Sequence, residues 1–404
     1  MMQRRVRPVI LLVAEAVTLA HYARISSLSR ALDPSLYDIV IAADPRYRTL
    51  DAPLPGTFHA LHSIPSSRFA QALAQGRPVY DTATLSRYVE DDLALFAAVK
   101  PDLVIGDFRL SLAVSAPLAR VPYAAVVNAY WSPYADIAYP VPDLPFTHLT
   151  GLAVGQKLFD LARPLAFALH ARPLNQVRRR YGLAPLDADL RYAYTWGDYT
   201  LYADIPELVP MRLLPDTHRF IGPVLWSAQT PLPSWWEDLP EDKPVVFLTP
   251  GSSGRADLLP LALRALARLP VTIIAASAGQ PVLPEPPVNA YIADYLPMQA
   301  AARRASLLIS NGGSLTAYQA LACGVPVIGL CTNMDQLLNM GSLERLGAGV
   351  AMRAGTLGAG KLQERVAAVL ARPAITDAAK AIGGLMTRYD AGARFRDSVA
   401  GMLR

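Results

Sequence analysis

Short apolar runs alternate with longer stretches of helical periodicity over most of the chain. The first cycle is a strand predicted at 6–14, a helix at 19–31 and a second strand at 38–42. Strands that alternate with helices in this way predict an α/β fold with a doubly wound parallel sheet. Because ligands of such sheets lie beyond the carboxyl ends of the strands, polar residues at those ends are the first candidates for a functional site.

The same cycle recurs along the rest of the chain. The further strands that we predict lie at 101–107, 122–127, 200–203, 219–224, 245–249, 271–275, 289–292, 307–309 and 325–330, with helices at 82–99, 111–118 and 258–269. Residues 152–181 have helical periodicity, which a break at Pro164 or Pro173 would divide into two helices. Helical periodicity also covers 362–404, with a break predicted near Gly383 and Gly384.

A change in composition divides the chain. Residues 227–243 are rich in Pro, Trp, Asp and Glu. The length of 404 residues also suits two domains of roughly 150 residues each. We therefore predict an N-terminal domain at 1–226, a linker at 227–243 and a C-terminal domain at 244–385, followed by a C-terminal helix at 386–404.

The clearest candidate for ligand binding is the stretch from 306 to 330. It predicts a strand, a glycine turn at 311–314, a helix, a C-cap at Gly324 and a second strand. A helix that follows such a turn directs backbone N–H groups and the positive end of its dipole at a ligand, which is expected to be an anion. A strand–turn–helix connection without a ligand has the same local pattern, and that alternative stays open.

The longer pattern is more specific than the glycine pair. It contains Gly-Gly-Ser-x-Thr at 312–316, Ala-Leu-Ala-x-Gly-Val-Pro at 320–326 and Asp-Gln-x-x-Asn at 335–339. This order and spacing resembles the C-terminal signature of the glycosyltransferases that include plant and animal UDP-glycosyltransferases and bacterial antibiotic and macrolide glycosyltransferases. The resemblance implies a GT-B fold, in which two Rossmann-like domains face one another across a cleft and the last helix crosses back onto the first domain.

The resemblance also implies where a nucleotide sugar would bind. The second domain would hold it, with the glycine turns at 251–254 and 312–314 on the diphosphate and an acidic–amide pair on the sugar hydroxyls. The predicted donor-binding residues are Ser252, Ser253, Tyr295, Asn311, Gly312, Gly313, Ser314, Thr316, Gln319, Asp335 and Gln336. Alternatives remain for several of them: either turn could only connect a strand to a helix, Asp335 could cap a helix, and Tyr295 could be a core residue.

Three residues depart from the family pattern. Asn311 stands where the family has a phosphate-contacting histidine, Leu315 replaces a glycine, and Gln319 stands where an acidic residue often binds the ribose. Asn and Gln can still donate and accept hydrogen bonds, so nucleotide binding is compatible with these changes.

His21 and Asp107 are the predicted catalytic pair. His21 follows the first strand at the start of the first helix, and Asp107 ends a strand of the same domain. A lone histidine is more often structural, but this position matches the family's Gly-His element, with Ala20 in place of the glycine and Arg24 in place of a proline. An imidazole that donates its second N–H to a carboxylate is a better general base and is held in one tautomer.

The acceptor is expected on the first domain. A Tyr-, Trp- and Pro-rich segment at 128–150 predicts a long loop, and its proposed acceptor-binding residues are Asn128, Tyr130, Trp131 and Tyr134. The helical region that follows has several basic residues. They are interpreted either as the solvated face of core-packed helices or as a basic amphipathic surface that approaches membrane lipids.

Composition narrows the remaining classes. A net charge of +5 suits an anionic small ligand, and no basic tract or zinc finger indicates nucleic-acid binding. Cys323 and Cys331, in apolar surroundings, predict buried thiols in a reducing compartment, and the scattered histidines predict no metal. No apolar run reaches the ~18–20 residues of a membrane span. A cytoplasmic protein is expected. Peripheral contact with the inner face of the membrane is a second possibility that the composition allows.

The leading hypothesis is a metal-independent, inverting glycosyltransferase without a cofactor other than its nucleotide-sugar co-substrate. His21 would deprotonate an apolar or aromatic acceptor, a lipid or a secondary metabolite, which attacks the sugar of a UDP- or dTDP-linked donor. Two alternatives stay open. One is a nucleotide-sugar epimerase, and the other is a non-catalytic GT-B partner of an active transferase, which Asn311 and Gln319 would favour.

Overall fold

The computed structural model describes residues 7–142, 147, 151–251 and 254–404. Its contacts divide the chain into two compact units. Unit 1 contains residues up to Ile137, Ala153–Val224 and Tyr389–Arg404, and unit 2 contains Ala138–Leu152 and Leu225–Arg388. The segment from 138 to 152 thus belongs with unit 2, whereas the composition places it in the N-terminal domain. The Arg353 side chain accounts for part of this difference, since its Nη1 donates to the Val141 carbonyl at 2.7 Å.

Unit 1 is built on a sheet of seven strands in the order β3-β2-β1-β4-β5-β6-β7, and every neighbouring pair is parallel. The strands are β1 (Val9–Ala14), β2 (Asp38–Ala43), β3 (Thr57–Ala60), β4 (Leu103–Asp107), β5 (Tyr123–Val127), β6 (Tyr199–Tyr202) and β7 (His218–Phe220). All residues of β1, β4 and β5 are buried, as expected for central strands covered on both faces.

The helices of unit 1 cover that sheet. They are α1 (Leu19–Ala31), α2 (Ser66–Ala74), α3 (Thr82–Val99), α4 (Leu112–Ala119), α5 (Leu152–Arg180), α6 (Leu190–Thr195) and the C-terminal α13 (Ala391–Met402). The last of these packs on α1, and its Phe395 and Val399 are fully buried in the core with Ile10 and Leu12. The end of the chain is therefore part of the unit that its beginning forms.

Unit 2 has a sheet of six parallel strands in the order β10-β9-β8-β11-β12-β13. Its strands are β8 (Val245–Leu248), β9 (Thr272–Ala276), β10 (Ala290–Ala293), β11 (Leu307–Ser310), β12 (Val327–Cys331) and β13 (Gly349–Arg353). Its helices are α7 (Leu258–Leu266), α8 (Met298–Arg304), α9 (Ser314–Ala322), α10 (Met334–Arg345), α11 (Ala359–Leu370) and α12 (Pro373–Met386).

Both sheets reverse their order of connection once. In unit 1 the chain passes from β1 outward to β3 and returns to β4, so the reversal lies between β1 and β4. In unit 2 the corresponding reversal lies between β8 and β11. A crevice opens at the carboxyl ends of two strands whose connections leave in opposite directions, and ligands of doubly wound sheets bind there. Each unit therefore has one topologically favoured site.

One predicted helix break is wrong and another is displaced. The long helix α5 continues through Pro164 and Pro173, because a proline removes one hydrogen bond and kinks a helix without necessarily ending it. The break predicted near Gly383 and Gly384 lies three residues later, since α12 ends at Met386 and α13 begins at Ala391. A Cβ on Gly383 would lie 2.3 Å from the Leu321 carbonyl oxygen, so this glycine allows α12 to pack closely on the end of α9.

Among the residues that the structure describes, no helix combines the length and the apolar content that crossing a bilayer requires.

Candidate functional site

His21 and Asp107 meet at the reversal between β1 and β4. Asp107 is the last residue of β4, and His21 lies in the first turn of α1, which follows β1. The His21 Nδ1 lies 2.7 Å from Asp107 Oδ1. The carboxylate is 1% exposed, whereas 16% of the imidazole side chain is exposed. The two residues that the sequence places 86 positions apart thus form one hydrogen-bonded pair whose imidazole keeps some access to solvent.

Arg24 forms a second contact with the same carboxylate. Its Nε donates to Asp107 Oδ2 at 2.6 Å and its Nη2 to Oδ1 at 3.0 Å, a bidentate pairing. Its Nη1 donates to the Asn128 side-chain oxygen at 2.6 Å, and the Asn128 amide donates to Asp204. The arginine that replaces the family proline therefore connects the pair to β5 and to the residues after β6.

The charge on Asp107 is stabilised in place. Burial alone would raise the pKa of this carboxyl, but the Arg24 guanidinium and His21 hold the pKa below its ordinary value. An ionised Asp107 can only accept hydrogen bonds, so we assign the His21 proton to Nδ1. This tautomer leaves the Nε2 lone pair of His21 available to accept a proton.

Phe108 supports the other side of the imidazole. Its ring is stacked on His21, with centroids 4.8 Å apart and an interplanar angle of 7°. Phe108 has a φ of +58°, in a region that bulky side chains rarely adopt. Phe108 directly follows Asp107 in the chain. The segment 107–108 therefore both orients His21, through the Asp107 carboxylate, and packs against it, through the Phe108 ring.

An aromatic cluster surrounds Phe108 within unit 1. Phe69, Tyr80 and Tyr194 have ring centroids 6.0, 6.3 and 5.2 Å from that of Phe108, and Trp131 lies 5.1 Å from Tyr194. A small recess next to the cluster is lined by Val79, Tyr80, Leu85, Leu110, His170, Pro173, Leu174, Ala193 and Tyr194. The side of His21 that faces Phe108 is therefore apolar and aromatic.

The predicted acceptor-binding residues separate into two groups. Asn128 is 7% exposed and Tyr130 is fully buried at the end of β5, where a short 3-10 helix forms at Ala129–Trp131. Their assignment as acceptor contacts stays a prediction. Trp131 and Tyr134 are half-buried, and their predicted contact with an acceptor stays a prediction. Much of the predicted loop, 143–146 and 148–150, lies outside the described residues.

A second charged cluster lies beside the pair and was missed in the sequence. Arg109 Nη1 donates to Glu15 Oε2 at 3.0 Å and its Nε to Asp92 Oδ1 at 3.1 Å, all three side chains being 0–1% exposed. The Arg109 guanidinium also lies 3.7 Å from the centre of the Tyr88 ring. Burial raises the pKa of both Glu15 and Asp92 despite the adjacent guanidinium. The only available signal was that Glu15 and Arg109 follow β1 and β4, the two strands at the reversal.

In unit 2 a glycine turn follows each strand at the reversal. Gly251 has a φ of +65° and Gly312 a φ of +83°, values that favour glycine. A Cβ on Gly251 would lie 3.2 Å from the Asn311 side-chain nitrogen, so the two turns lie side by side. A Cβ on Gly312 would lie 2.8 Å from Met340 Cγ. The two turns are therefore in contact, and the packing around Gly312 leaves no room for a side chain there.

Polar side chains form hydrogen bonds with the backbone of the turn at 311–313, which precedes α9. Ser310 Oγ accepts from the Gly312 N–H and Asn311 Oδ1 from the Gly313 N–H, each at 3.1 Å. The Asn339 side chain donates to the Gly312 carbonyl at 2.8 Å. Gly313 is the N-cap of α9 and, as a glycine, provides no side chain of its own to cap the helix. The arrangement presents the N-terminal end of a helix at the reversal, which is a favourable place for an anion.

The other predicted donor residues have different surroundings. Gln336 is 2% exposed, and its Oε1 accepts from the backbone N–H and the hydroxyl of Thr332. Asn333, not Asp335, is the N-cap of α10, which removes the capping alternative for Asp335. Gln319 is 5% exposed and donates to the Leu315 carbonyl of its own helix. Tyr295 and Thr316 are half-buried, and Ser252 and Ser253 lie outside the described residues.

Neither cysteine forms a disulfide. Cys331 is buried, as predicted, whereas Cys323 is only partly buried, so the expectation of two buried thiols was half wrong. Burial raises the pKa of both thiols. Within the described ranges, no group of three or more His, Cys, Asp or Glu side chains has the arrangement to hold a metal ion.

Comparisons with known proteins agree on the class of the chain. Residues 261–387 match the family model for the C-terminal domain of erythromycin biosynthesis protein CIII-like proteins. A PGL/p-HBAD biosynthesis rhamnosyltransferase of Mycobacterium bovis (strain BCG / Pasteur 1173P2) is 51% identical over 383 residues, covering 95% of this chain and 85% of the relative. A PGL/p-HBAD biosynthesis glycosyltransferase of Mycobacterium tuberculosis (strain ATCC 25177 / H37Ra) is 53% identical over 344 residues, covering 85% of this chain and 80% of the relative.

The fold has solved counterparts. The spinosyn rhamnosyltransferase SpnG complexed with thymidine diphosphate superposes with a TM-score of 0.67 at 20% identity, covering 96% of this chain and 99% of that one. This likeness concerns the fold. It confirms the predicted α/β architecture with two Rossmann-like sheets, each with helices on it.

Proposed function

Because the chain belongs to the UDP-glycosyltransferase-like superfamily of GT-B glycosyltransferases, we propose that it transfers a deoxyhexose from a dTDP-linked donor to a hydroxyl group of an apolar, aromatic acceptor. The observation that carries the proposal is the His21–Asp107 hydrogen bond at the reversal between β1 and β4. A transferase needs such a base to deprotonate its acceptor, whereas an inactive partner protein needs none.

His21 acts as the general base. Its Nε2 accepts the proton of the acceptor hydroxyl while the oxygen attacks the anomeric carbon, and the bond from that carbon to the diphosphate breaks. A single displacement of this kind inverts the configuration of the sugar. Asp107 stabilises the imidazolium that forms, and Arg24 keeps Asp107 ionised and fixed in position.

The N-terminal end of α9 stabilises the leaving diphosphate. Negative charge grows on the departing oxygen as the bond breaks, and backbone N–H groups at a helix N-terminus compensate it without reorganisation. The paired turns at Gly251 and Gly312 support this role, because each has a glycine with a positive φ and therefore no side chain at that point of the turn. We propose that no metal is needed for the step, and that Asp335 and Gln336 contact the sugar.

The choice of donor and acceptor follows from the relatives and from unit 1. Two names support the donor: one relative is a rhamnosyltransferase, and a counterpart of the same fold was solved with thymidine diphosphate. We keep UDP-linked sugars as the second donor class. The cluster of Phe69, Phe108, Tyr194 and Trp131 supports an aromatic or apolar acceptor next to His21.

The test is a donor-and-base experiment on the purified chain. Release of dTDP from dTDP-rhamnose is measured with a panel of phenolic acceptors, with UDP-sugars as competitors. We expect His21→Ala to lower kcat/KM by about 10³-fold while the affinity for dTDP is unchanged. His59→Ala, on strand β3, is the matched control and should retain activity.

Four results would each overturn a part of the proposal. Full activity of His21→Ala would show that His21 is not the general base. Binding of UDP but not of dTDP would show that the donor is a UDP-linked sugar. Turnover that a chelator abolishes and magnesium restores would contradict the metal-independent step. The configuration of the product, determined by NMR, decides whether the transfer inverts the sugar.

A further inference from the structure

Helix α5 exposes a continuous row of large apolar side chains. Val154, Leu158, Leu161, Leu165 and Leu169 are 52, 48, 83, 67 and 50% exposed. Their spacing of three and four residues places all of them on one face of the helix, which we call the α5 stripe. At about 1.5 Å per residue the stripe is ~22 Å long. A solvated helix normally presents polar residues on such a face, so the pattern indicates a surface that something apolar covers.

The opposite face of α5 is well anchored. Phe159, Phe167 and Val177 are buried. Near the C-terminal end, Thr82 Oγ1 donates to Gln176 Oε1 at 2.8 Å and Arg178 donates to the Ala184 carbonyl at 2.7 Å. Because the inner face and the end of α5 have these partners, the exposed leucines are not the remains of a poorly packed helix.

Charge indicates what covers the stripe. Between 152 and 180 the sequence has six basic residues and one acidic residue, a net charge of +5, which equals that of the whole chain. Lys157, Arg172 and Arg179 are exposed, and the helical spacing places the two arginines on the same face as the stripe. A second copy of this chain would bring two strongly cationic helices together, whereas an anionic surface would neutralise them.

We propose that the α5 stripe and the basic residues beside it bind an anionic lipid bilayer, with α5 lying in the plane of the headgroups. The leucines enter the boundary between headgroups and acyl chains, and the cations contact the lipid phosphates. This contact does not depend on the proposed transfer reaction. It would place the chain where apolar acceptors are dissolved.

Vesicle flotation with the full chain tests the proposal. One set of vesicles is pure phosphatidylcholine and the other is a mixture with phosphatidylglycerol. We expect binding to the anionic vesicles that rises with the phosphatidylglycerol content and weakens with added salt. The double variant L161E/L165E should bind at least ~10-fold more weakly, because it puts two carboxylates in the middle of the stripe.

Matched variants separate the stripe from general effects. Leu213→Glu changes a leucine that is 93% exposed elsewhere in unit 1, and its binding should equal that of the parent chain. K157E/R172E should lose binding to anionic vesicles, whereas K361E/R365E, on exposed positions of α11, should lose much less. Thermal unfolding of each variant establishes that it is folded.

Three outcomes would overturn the proposal. The first is a parent chain that floats with neither vesicle, and the second is L161E/L165E binding as tightly as Leu213→Glu. The third is a concentration-dependent dimer, seen by analytical ultracentrifugation, that L161E/L165E abolishes, which would assign the stripe to a second copy of the chain. Because flotation needs no sugar donor, these outcomes are independent of the success of the transferase assay.

Discussion

The two reversal points of this chain have the same topology and opposite chemistry. In unit 1 the ends of β1 and β4 lead to two clusters of ionisable side chains: His21 with Asp107 and Arg24, and Glu15 with Arg109 and Asp92. In unit 2 the ends of β8 and β11 lead to 249–254 and 310–316, and neither segment contains a charged residue. The same sheet order thus positions charged side chains in one unit and uncharged, glycine-containing segments in the other.

This difference in side-chain charge fits the function that we propose for each site. A proton acceptor has to be a side chain of suitable basicity, and orienting it needs a fixed carboxylate, which in turn needs a cation when buried. An anion, in contrast, is best bound by backbone N–H groups that leave room for it, and charged side chains nearby are not required. We therefore expect unit 1 to be sensitive to loss of charge and unit 2 to be sensitive to added volume.

We expect the largest loss of stability from the removal of Arg109, the buried cation between Glu15 and Asp92 in unit 1. Arg109→Leu leaves Glu15 and Asp92 buried with hydroxyl donors but without the guanidinium that compensates their charge, and it should lower the free energy of unfolding by about 3–5 kcal/mol. Urea denaturation followed by circular dichroism measures the change. Arg212→Leu, which breaks an ion pair whose side chains are 65–70% exposed, should change stability by less than about 1 kcal/mol. Equal effects for the two variants would show that burial does not distinguish them.

Added volume should be the main vulnerability of unit 2. Gly312→Ala forces an alanine to a φ of +83° and puts its Cβ 2.8 Å from Met340 Cγ, so we expect a loss of about 2–3 kcal/mol and weaker binding of dTDP. Gly341→Ala, in the middle of α10 with open space around its Cβ, should instead gain about 0.5–1 kcal/mol. Thermal shift with and without dTDP compares them, and a neutral Gly312→Ala would contradict the tight turn.

Asp107→Asn, which removes the carboxylate charge, should lower the free energy of unfolding by about 2 kcal/mol at neutral pH. The pKa of Asp107 is lower in the folded chain than its ordinary value. Its contribution to stability is therefore complete above the unfolded pKa of about 4 and is lost as the pH falls through the folded pKa. Unfolding curves of the parent chain and Asp107→Asn should accordingly converge in acid, with Asp136→Asn as the exposed control. A difference in the free energy of unfolding between the parent chain and Asp107→Asn that stays constant as the pH falls would contradict a lowered pKa of Asp107.

The smallest expected effect concerns Gln319, a predicted donor residue whose amide donates to the Leu315 carbonyl in its own helix. Gln319→Leu should lower stability by only about 0.5–1 kcal/mol and leave the affinity for dTDP within about twofold, about 0.4 kcal/mol. Isothermal titration calorimetry measures that affinity. A tenfold loss of affinity would instead place the side chain on the donor, as the family pattern predicts.

Much of the fold could be predicted from local patterns. Helices α1 and α3 begin and end at the predicted residues, and Gly324, predicted as the C-cap of α9, lies one residue after the observed C-cap with a φ of +73°. Strand ends were accurate enough to put His21 and Asp107 at one edge. These features depend on neighbours within a few positions, and periodicity and turn chemistry report on such neighbours.

The features that local patterns do not reveal depend on distant partners. The aromatic segment around Tyr130 predicts an exposed loop, yet the Tyr130 side chain is fully buried. Arg24 stands out in the sequence only as a departure from the family pattern, although it bonds a carboxylate 83 positions away. Pro164 indicates a helix end, but α5 continues through it.

The sequence by itself determined where most of the strands and helices lie, which turns contain glycine, and which two residues could form a base and its carboxylate. Only the tertiary structure decided that Arg24 completes that pair, that Arg109 joins Glu15 to Asp92, and that the leucines of α5 face outward. The physical reason is that a hydrogen bond or a buried charge needs a partner in space, and the order of residues along a chain specifies the partners within a helix turn but not those across a sheet.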